Sequence, residues 1–247
     1  MTAQIASSAP LLEPGHPCAD CAVRLLAICG VLNSNELGEL KRAGAEVAFP
    51  AGATITYEGD VANHVYNLTS GTLRLSKLLP DGRRQIAGFL FPGDFLGITM
   101  EDEHAFTVEA IGPAALCRFT RSQFDGFVEA HPHLERRLYA LAAHELAAAR
   151  QQLVLLGRKT ATERVASFLL MLADRYESTL DALSAADVVL PMSRSDIADY
   201  LGLRIETVSR EITGLKASRL IQLTTTHNIR LIDRERLEQM ARAEAFG

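Results

Sequence analysis

The stretch "LPMSRSDIADYLGLRIETVSREITGLKASRLIQL", residues 190–223, decides how the chain is read. Ser193 followed by Asp196 has the form of a capping box, with Asp shorter than the usual Glu or Gln, so a helix begins here. Ile197, Ala198 and Leu201 then share the inner face of a short first helix. Gly202 stands where the chain must turn sharply. The helical period resumes with Val208, Ile212 and Leu215 inside a second helix, about Ile205 to Lys216. Ala198 is small enough to let the two helices cross closely. Helix, glycine turn and helix make a helix-turn-helix.

Glu206, Ser209 and Arg210 fall on the exposed face of the second helix at i, i+3 and i+4. Arg forks onto guanine O6 and N7, Glu accepts from cytosine N4, and Ser bonds a base or a phosphate. Arg194, Arg204, Lys216 and Arg219 surround them as candidate phosphate contacts. "LIQLTTTHNIRLID", residues 220–233, reads as a hairpin with Ile221 and Leu223 facing Ile229 and Leu231, a wing beside the reading helix. The bland alternative is a three-helix subdomain with a solvated Glu/Arg face. The order of the four elements favours double-stranded DNA as partner.

Upstream the pattern is different. From Val47 to about Phe119, short apolar runs such as "HVYNLTS", "TLRLSKLL" and "RQIAGFLF" are punctuated at Gly59, Gly71, Gly82 and Gly93. Turn signals about eleven residues apart suggest an antiparallel barrel or sandwich. "RSQFDGFVEA" is a short helix ending at "HPH", and a long Ala- and Leu-rich run follows, about Leu134 to Leu156. In that run Tyr139, Ala142, Leu146, Ala149, Leu153 and Leu156 are spaced 3, 4, 3, 4, 3, the seam of a two-helix contact. A second stripe, Leu134, Leu138 and Leu141, is placed to dock on the barrel. A helix simply buried in its own domain is the competing reading. The small alanines, which admit a close partner helix, favour a homodimer. Another amphipathic helix carries Val165, Phe168, Leu169 and Leu172 on one face.

The chain has 247 residues, 48% hydrophobic and 22% charged, with a net charge of −5. That balance excludes a generally basic nucleic-acid coat but not a local reading surface. No run approaches the roughly 20 apolar residues that span a bilayer, and the N-terminus lacks the basic flank and apolar core of a signal peptide. The expected location is the cytoplasm, with no membrane partner. In a reducing compartment the four cysteines, Cys18, Cys21, Cys29 and Cys117, point to metal or redox chemistry rather than disulfides. Four thiolates suit either an iron–sulfur cluster or a tetrahedral zinc, and the spacing alone does not choose. Cys117, in an apolar strand-like run, also reads as an ordinary core cysteine. No cysteine has a legible His and Asp/Asn arrangement, so a thiol enzyme is disfavoured and the chain is expected not to be an enzyme.

With barrel, long helix and winged helix-turn-helix in that order, nearly the whole chain resembles the CRP/FNR family of bacterial transcription regulators. "IETVSR" resembles the FNR-type E-x-x-S-R recognition motif at Glu206, Ser209 and Arg210. The resemblance implies a cyclic-nucleotide-binding-like jelly-roll β-barrel, a dimerisation helix, TTGAT-like inverted repeats as target and RNA polymerase as partner, with "LLPDGRRQ" (78–85) one contact surface. Relatives that bind cyclic AMP carry an Arg-Ser pair. The matching stretch here, "FPGDFLGITMEDEHAFTVEA", has none and places Glu101, Asp102 and Glu103 nearby, so cyclic AMP is disfavoured. FNR-type members carry an N-terminal cysteine group and one late barrel cysteine, as this chain does with Cys18-x2-Cys21-x7-Cys29 and Cys117. The x7 gap, longer than in the best-known enteric form, resembles a variant of alphaproteobacterial relatives. The resemblance therefore implies one [4Fe-4S] cluster per subunit, shielded by Leu25, Leu26 and Ile28. It controls dimerisation, and oxygen is the signal. Zinc, or direct thiol oxidation, on the same fold is the alternative.

The expected class is α+β: a cysteine-bearing leader over 1–30, a sensor barrel over 31–132, the dimerisation helix over 133–158 and the DNA-binding domain over 159–247.

Overall fold

The computed structural model describes residues 12, 15–98, 101–179 and 187–242. The chain divides into two compact units, Met1–Leu75 with Phe89–His144, and Ser76–Gly88 with Glu145–Gly247. Of the cysteine-bearing leader, residues 1–11, 13 and 14 lie outside the described residues.

The first unit enters through a 3-10 turn, Ile28–Val31, and helix α1, Ser34–Ala43. The sequence reading missed α1, although its start carries a complete capping box. Glu36 N–H donates to Asn33 Oδ1 at 3.0 Å, and Asn33 N–H donates to Glu36 Oε2 at 2.8 Å. Eight strands follow: β1 (Gly44–Phe49), β2 (Thr54–Thr56), β3 (His64–Ser70), β4 (Leu73–Leu78), β5 (Arg84–Leu90), β6 (Phe95–Leu96), β7 (Thr107–Ala110) and β8 (Ala114–Thr120). They form two four-stranded sheets, β1-β8-β3-β6 and β2-β7-β4-β5. This is the double-sheet β-roll the turn spacing predicted, and all four punctuating glycines adopt positive φ.

Alternation along β8 places the functional sulfur. Leu116 points between the sheets and packs with Tyr66, Leu68, Leu73 and Val108. Cys117 and Phe119 therefore point to the other face of the β1-β8-β3-β6 sheet. That face is closed by α1, by helix α2 (Arg121–Ala130) and by the first turns of helix α3 (Pro132–Arg158). Phe124 stacks on Phe95 with ring centroids 5.1 Å apart and meets Phe119 at 6.0 Å. Leu134 is fully buried in this cluster, contributing about 2 kcal/mol by its burial, and Leu138 and Leu141 pack beside it. The second stripe of the long helix thus docks as its spacing predicted.

The second unit contains α4 (Ala161–Thr179), β9 (Asp187–Val189), α5 (Arg194–Leu201), α6 (Ile205–Ala217), β10 (Ile221–Leu223), β11 (Asn228–Leu231) and α7 (Arg234–Arg242). Val165, Phe168, Leu169 and Leu172 of α4 are all buried. The wing pairs Ile221 with Leu231 and Leu223 with Ile229 as read from sequence. A third strand, β9, extends that sheet on the β11 side. It was missed because three residues carry no period of their own. No helix among the described residues is long and apolar enough to cross a membrane.

Candidate functional site

Two sites emerge, one in each unit. In the first, the leader lies over the outer face of β8. His16 anchors its start: Cys18 N–H donates to His16 Nδ1 at 3.1 Å, which leaves Nε2–H to donate to Ser34 O at 3.2 Å. Successive turns carry the chain onward, with Ala27 N–H donating to Val23 O at 2.9 Å. Gly93 sits beneath this segment, and a Cβ there would stand 2.9 Å from Leu26 Cβ. Arg137 on α3 ties the loop from above, its Nη2 donating to Leu26 O at 2.8 Å.

The four cysteines, all free thiols, line one cavity of about 330 Å³. Cys18, Cys21 and Cys29 come from the leader and Cys117 from β8, with Lys41, Glu46, Asn67 and Thr69 among the other walls. Cys117 also packs, with Cys18 and Cys29, against the hydrophobic cluster on that face of the sheet, as an ordinary core cysteine would. Among the described residues no three His, Cys, Asp or Glu side chains stand as a ligating set, so a metal bound by all four sulfurs would require them closer together. The expected shield differs. Leu25 is 57% exposed and Ile28 is locked in the core, while Ala22, Ala27, Leu37 and Pro17 form the apolar wall.

Burial in the cavity favours the protonated form of Cys18, Cys29 and Cys117. Burial, reinforced by the neighbouring Cys117, Cys18 and Cys21, pushes the Cys29 thiol up to about 12. Burial also raises Cys18 and Cys117, against the pull of the Lys41 ammonium. Lys41 itself pairs with Glu46 at 3.6 Å. Neutral buried thiols are poor nucleophiles, whereas a bound cation would reverse this balance and make all four anionic ligands. The donor set fits a thiolate-bound centre.

In the second unit Ser193 caps α5 as predicted: Asp196 N–H donates to Ser193 Oγ at 3.1 Å, and Ser193 N–H donates to Asp196 Oδ2 at 3.1 Å. Gly202 closes α5 in the left-handed region at φ 61°, which only glycine adopts freely. Ile197, Ala198, Leu201, Val208, Ile212 and Leu215 are buried, as the helix crossing requires. Glu206, Ser209 and Arg210 are exposed together on α6. Arg210 leans on Glu211 at 3.4 Å, a loose tether that leaves its guanidinium open. Arg204, Lys216 and Arg219 are exposed around the same face, Arg219 at the unusual φ of 58°. Arg194 is half-buried, with Nη1 enclosed and unpartnered, and is less open than its three companions.

A cyclic nucleotide-binding domain matches residues 46–131 and a Crp-like helix-turn-helix domain matches residues 163–240. The nitrogen fixation regulation protein FixK of Bradyrhizobium diazoefficiens is 47% identical over 238 residues, 96% of this chain and 99% of that protein. The chain belongs to the Crp/FNR family of transcription regulators. The transcriptional activator protein FnrL of Cereibacter sphaeroides is 36% identical, covering 94% of each chain. The solved structure of FixK2 from Bradyrhizobium japonicum superposes with a TM-score of 0.75 at 38% identity, covering 82% of this chain and 99% of that one. As a Crp/FNR regulator the protein binds DNA and is not an enzyme.

Crp/FNR regulators are generally dimeric, and α3 leaves an unpaired apolar stripe. Tyr139, Leu146 and Leu153 are 78%, 53% and 72% exposed. Ala149 is exposed and Ala142 and Leu156 are half-buried along the same line. His16, Lys41, Glu46, Asn67 and Arg137 were missed by sequence reasoning. "HPC" at 16–18 offered a hint for His16. The other four are visible only once strand register and helix docking are known.

Proposed function

We propose that this Crp/FNR regulator responds to oxygen through an iron–sulfur cluster held by Cys18, Cys21, Cys29 and Cys117. The observation that carries the reading is a single cavity walled by thiols from both leader and β8. When bound, a [4Fe-4S] cluster supplies an oxygen-labile cross-link between those two parts of the chain. The protein's own residues do the rest. His16 and Arg137 hold the loop, Ala27 and Leu37 keep the cavity wall apolar, and Lys41 offsets sulfur charge.

The loop rests on α3 through Arg137, and α3 carries the Tyr139 to Leu156 seam, so a change in the loop is felt where a second copy would dock. Two α6 helices related by a twofold axis reach TTGAT-like half-sites one helical turn apart, with Glu206, Ser209 and Arg210 at the bases and Arg194, Arg204, Lys216 and Arg219 at phosphates. The relatives' names, FixK and FnrL among them, are those of regulators and activators, which supports contact with RNA polymerase. On the 78–85 loop, Leu78 is free for it, at 71% exposure.

Zinc, or direct thiol oxidation, on the same fold is the alternative, and anaerobic metal content separates the readings. Protein purified without oxygen is expected to be brown, to hold about four irons per chain and to bleach in air. Colourless anaerobic protein with one zinc per chain would reject the cluster.

A further inference from the structure

One wall residue of the cysteine cavity has no structural employment. Asn67 on β3 is 2% exposed, and its Oδ1 is enclosed without a hydrogen-bond partner among the described residues. Two neighbouring polar walls are engaged. Thr69 Oγ1 donates to Ala115 O at 2.8 Å, and Lys41 pairs with Glu46. An unpaired amide in a sheet interior is destabilising, and leucine of nearly the same shape would fill the position without that cost.

Strand register shows what the amide faces. Asn67 is directly opposite Cys117 in the β3–β8 ladder, and Glu46 is opposite Cys117 on the β1 side. Directly opposed residues in an antiparallel pair project to the same face with Cβ atoms about 5 Å apart. All three side chains line the cavity. Oδ1 is the enclosed end of the amide, and Nδ2–H, its other end, has no acceptor among the described residues. A neutral donor, with no protein acceptor claiming it, thus stands beside the sulfur that closes the ligand set.

We propose that Asn67 donates from Nδ2 to a sulfur of the bound cluster and thereby slows its loss in air. This rests on the cluster reading above. Hydrogen bonds to ligand sulfur draw electron density from a cluster and favour its reduced form, so their removal makes oxidation easier. Glu46, an acceptor on the opposite side of Cys117, cannot serve in this way while it is ionised.

The test compares wild type with Asn67→Leu and Asn67→Asp, each loaded anaerobically to equal iron content. Two quantities are read: the bleaching half-time in air, and the urea midpoint of the metal-free protein. The expected result is that bleaching accelerates about tenfold in both variants, the usual scale for losing a supporting contact to a metal centre. Metal-free Asn67→Leu is expected to be at least as resistant to urea as wild type, since an unpaired polar group has been removed. Faster unfolding of metal-free Asn67→Leu, or its failure to fold, would show that Asn67 serves the barrel and would overturn the proposal. So would an unchanged half-time at equal iron, or an Asp variant that protects as well as Asn. Wild type that stays colourless before any variant is compared marks the distinct failure of the cluster reading, and this inference then falls with it.

Discussion

At the scale of single residues, the cysteine cavity turns ordinary thiols into reluctant acids. Cys29 has its thiol raised from 9.0 to about 12, chiefly by burial. A group whose acid form is favoured by folding holds more protons in the native than in the unfolded chain between those two values. The stability it contributes is therefore lost as pH rises above about 9. Metal-free protein should show a urea midpoint that falls between pH 9 and 11, with a shallower fall in Cys29→Ala. A pH-independent difference between the two would contradict the burial of this thiol. The second residue of consequence is Arg210. Arg210→Ala should weaken binding to the specific inverted repeat by about 1–3 kcal/mol, the worth of a bidentate contact to a guanine, and leave random DNA nearly unaffected. An equal loss on both would make Arg210 a phosphate contact.

At the scale of elements, the helix-turn-helix was readable because each of its local signals agrees with the next. The Ser193–Asp196 box, the Gly202 turn and the periods of both helices all appear where the sequence places them. The β-roll was readable from its glycines. The cavity was only half readable: the cysteine spacing showed a group of three and a distant fourth, which share one cavity, but Asn67 and Glu46 meet Cys117 only through register across β1, β8 and β3. No local pattern encodes that. The same holds for Arg84. It was read as part of an exposed loop, yet its Nη2 donates to Asp196 Oδ1 at 2.7 Å and to Asp199 Oδ2 at 2.7 Å. Gln85 adds a bond from Nε2 to Asp199 O at 2.7 Å. Asp196, with a side chain only 4% exposed, takes the guanidinium on Oδ1 and the Ser193 capping bonds on Oδ2. Arg84→Ala should cost roughly 2 kcal/mol, less than a fully buried pair because Arg84 remains partly solvated. Urea unfolding measures it, and no shift in midpoint would mean the pair is solvent-compensated. Lysine should restore little, since it lacks the fork that spans two carboxylates.

At the scale of the whole molecule, the chain places a four-cysteine cavity, a long helix with an exposed apolar seam and a helix-turn-helix in one order along the sequence. α3 runs from Pro132 to Arg158, with Leu134 buried near its start and Leu153 exposed near its end. Arg137 ties the leader loop to this helix near its start. The energy required is modest, because a shift of a few kcal/mol in a dimer equilibrium changes occupancy of an operator by orders of magnitude. The most direct test of the account is the affinity for a TTGAT-type inverted repeat, measured in one sample before and after air, for wild type and for Cys117→Ala. The account predicts tight anaerobic binding by wild type, a loss of at least about tenfold after air, and weak binding by Cys117→Ala under both conditions. Equal affinity before and after air, or a Cys117→Ala protein that binds as tightly as anaerobic wild type, would contradict it.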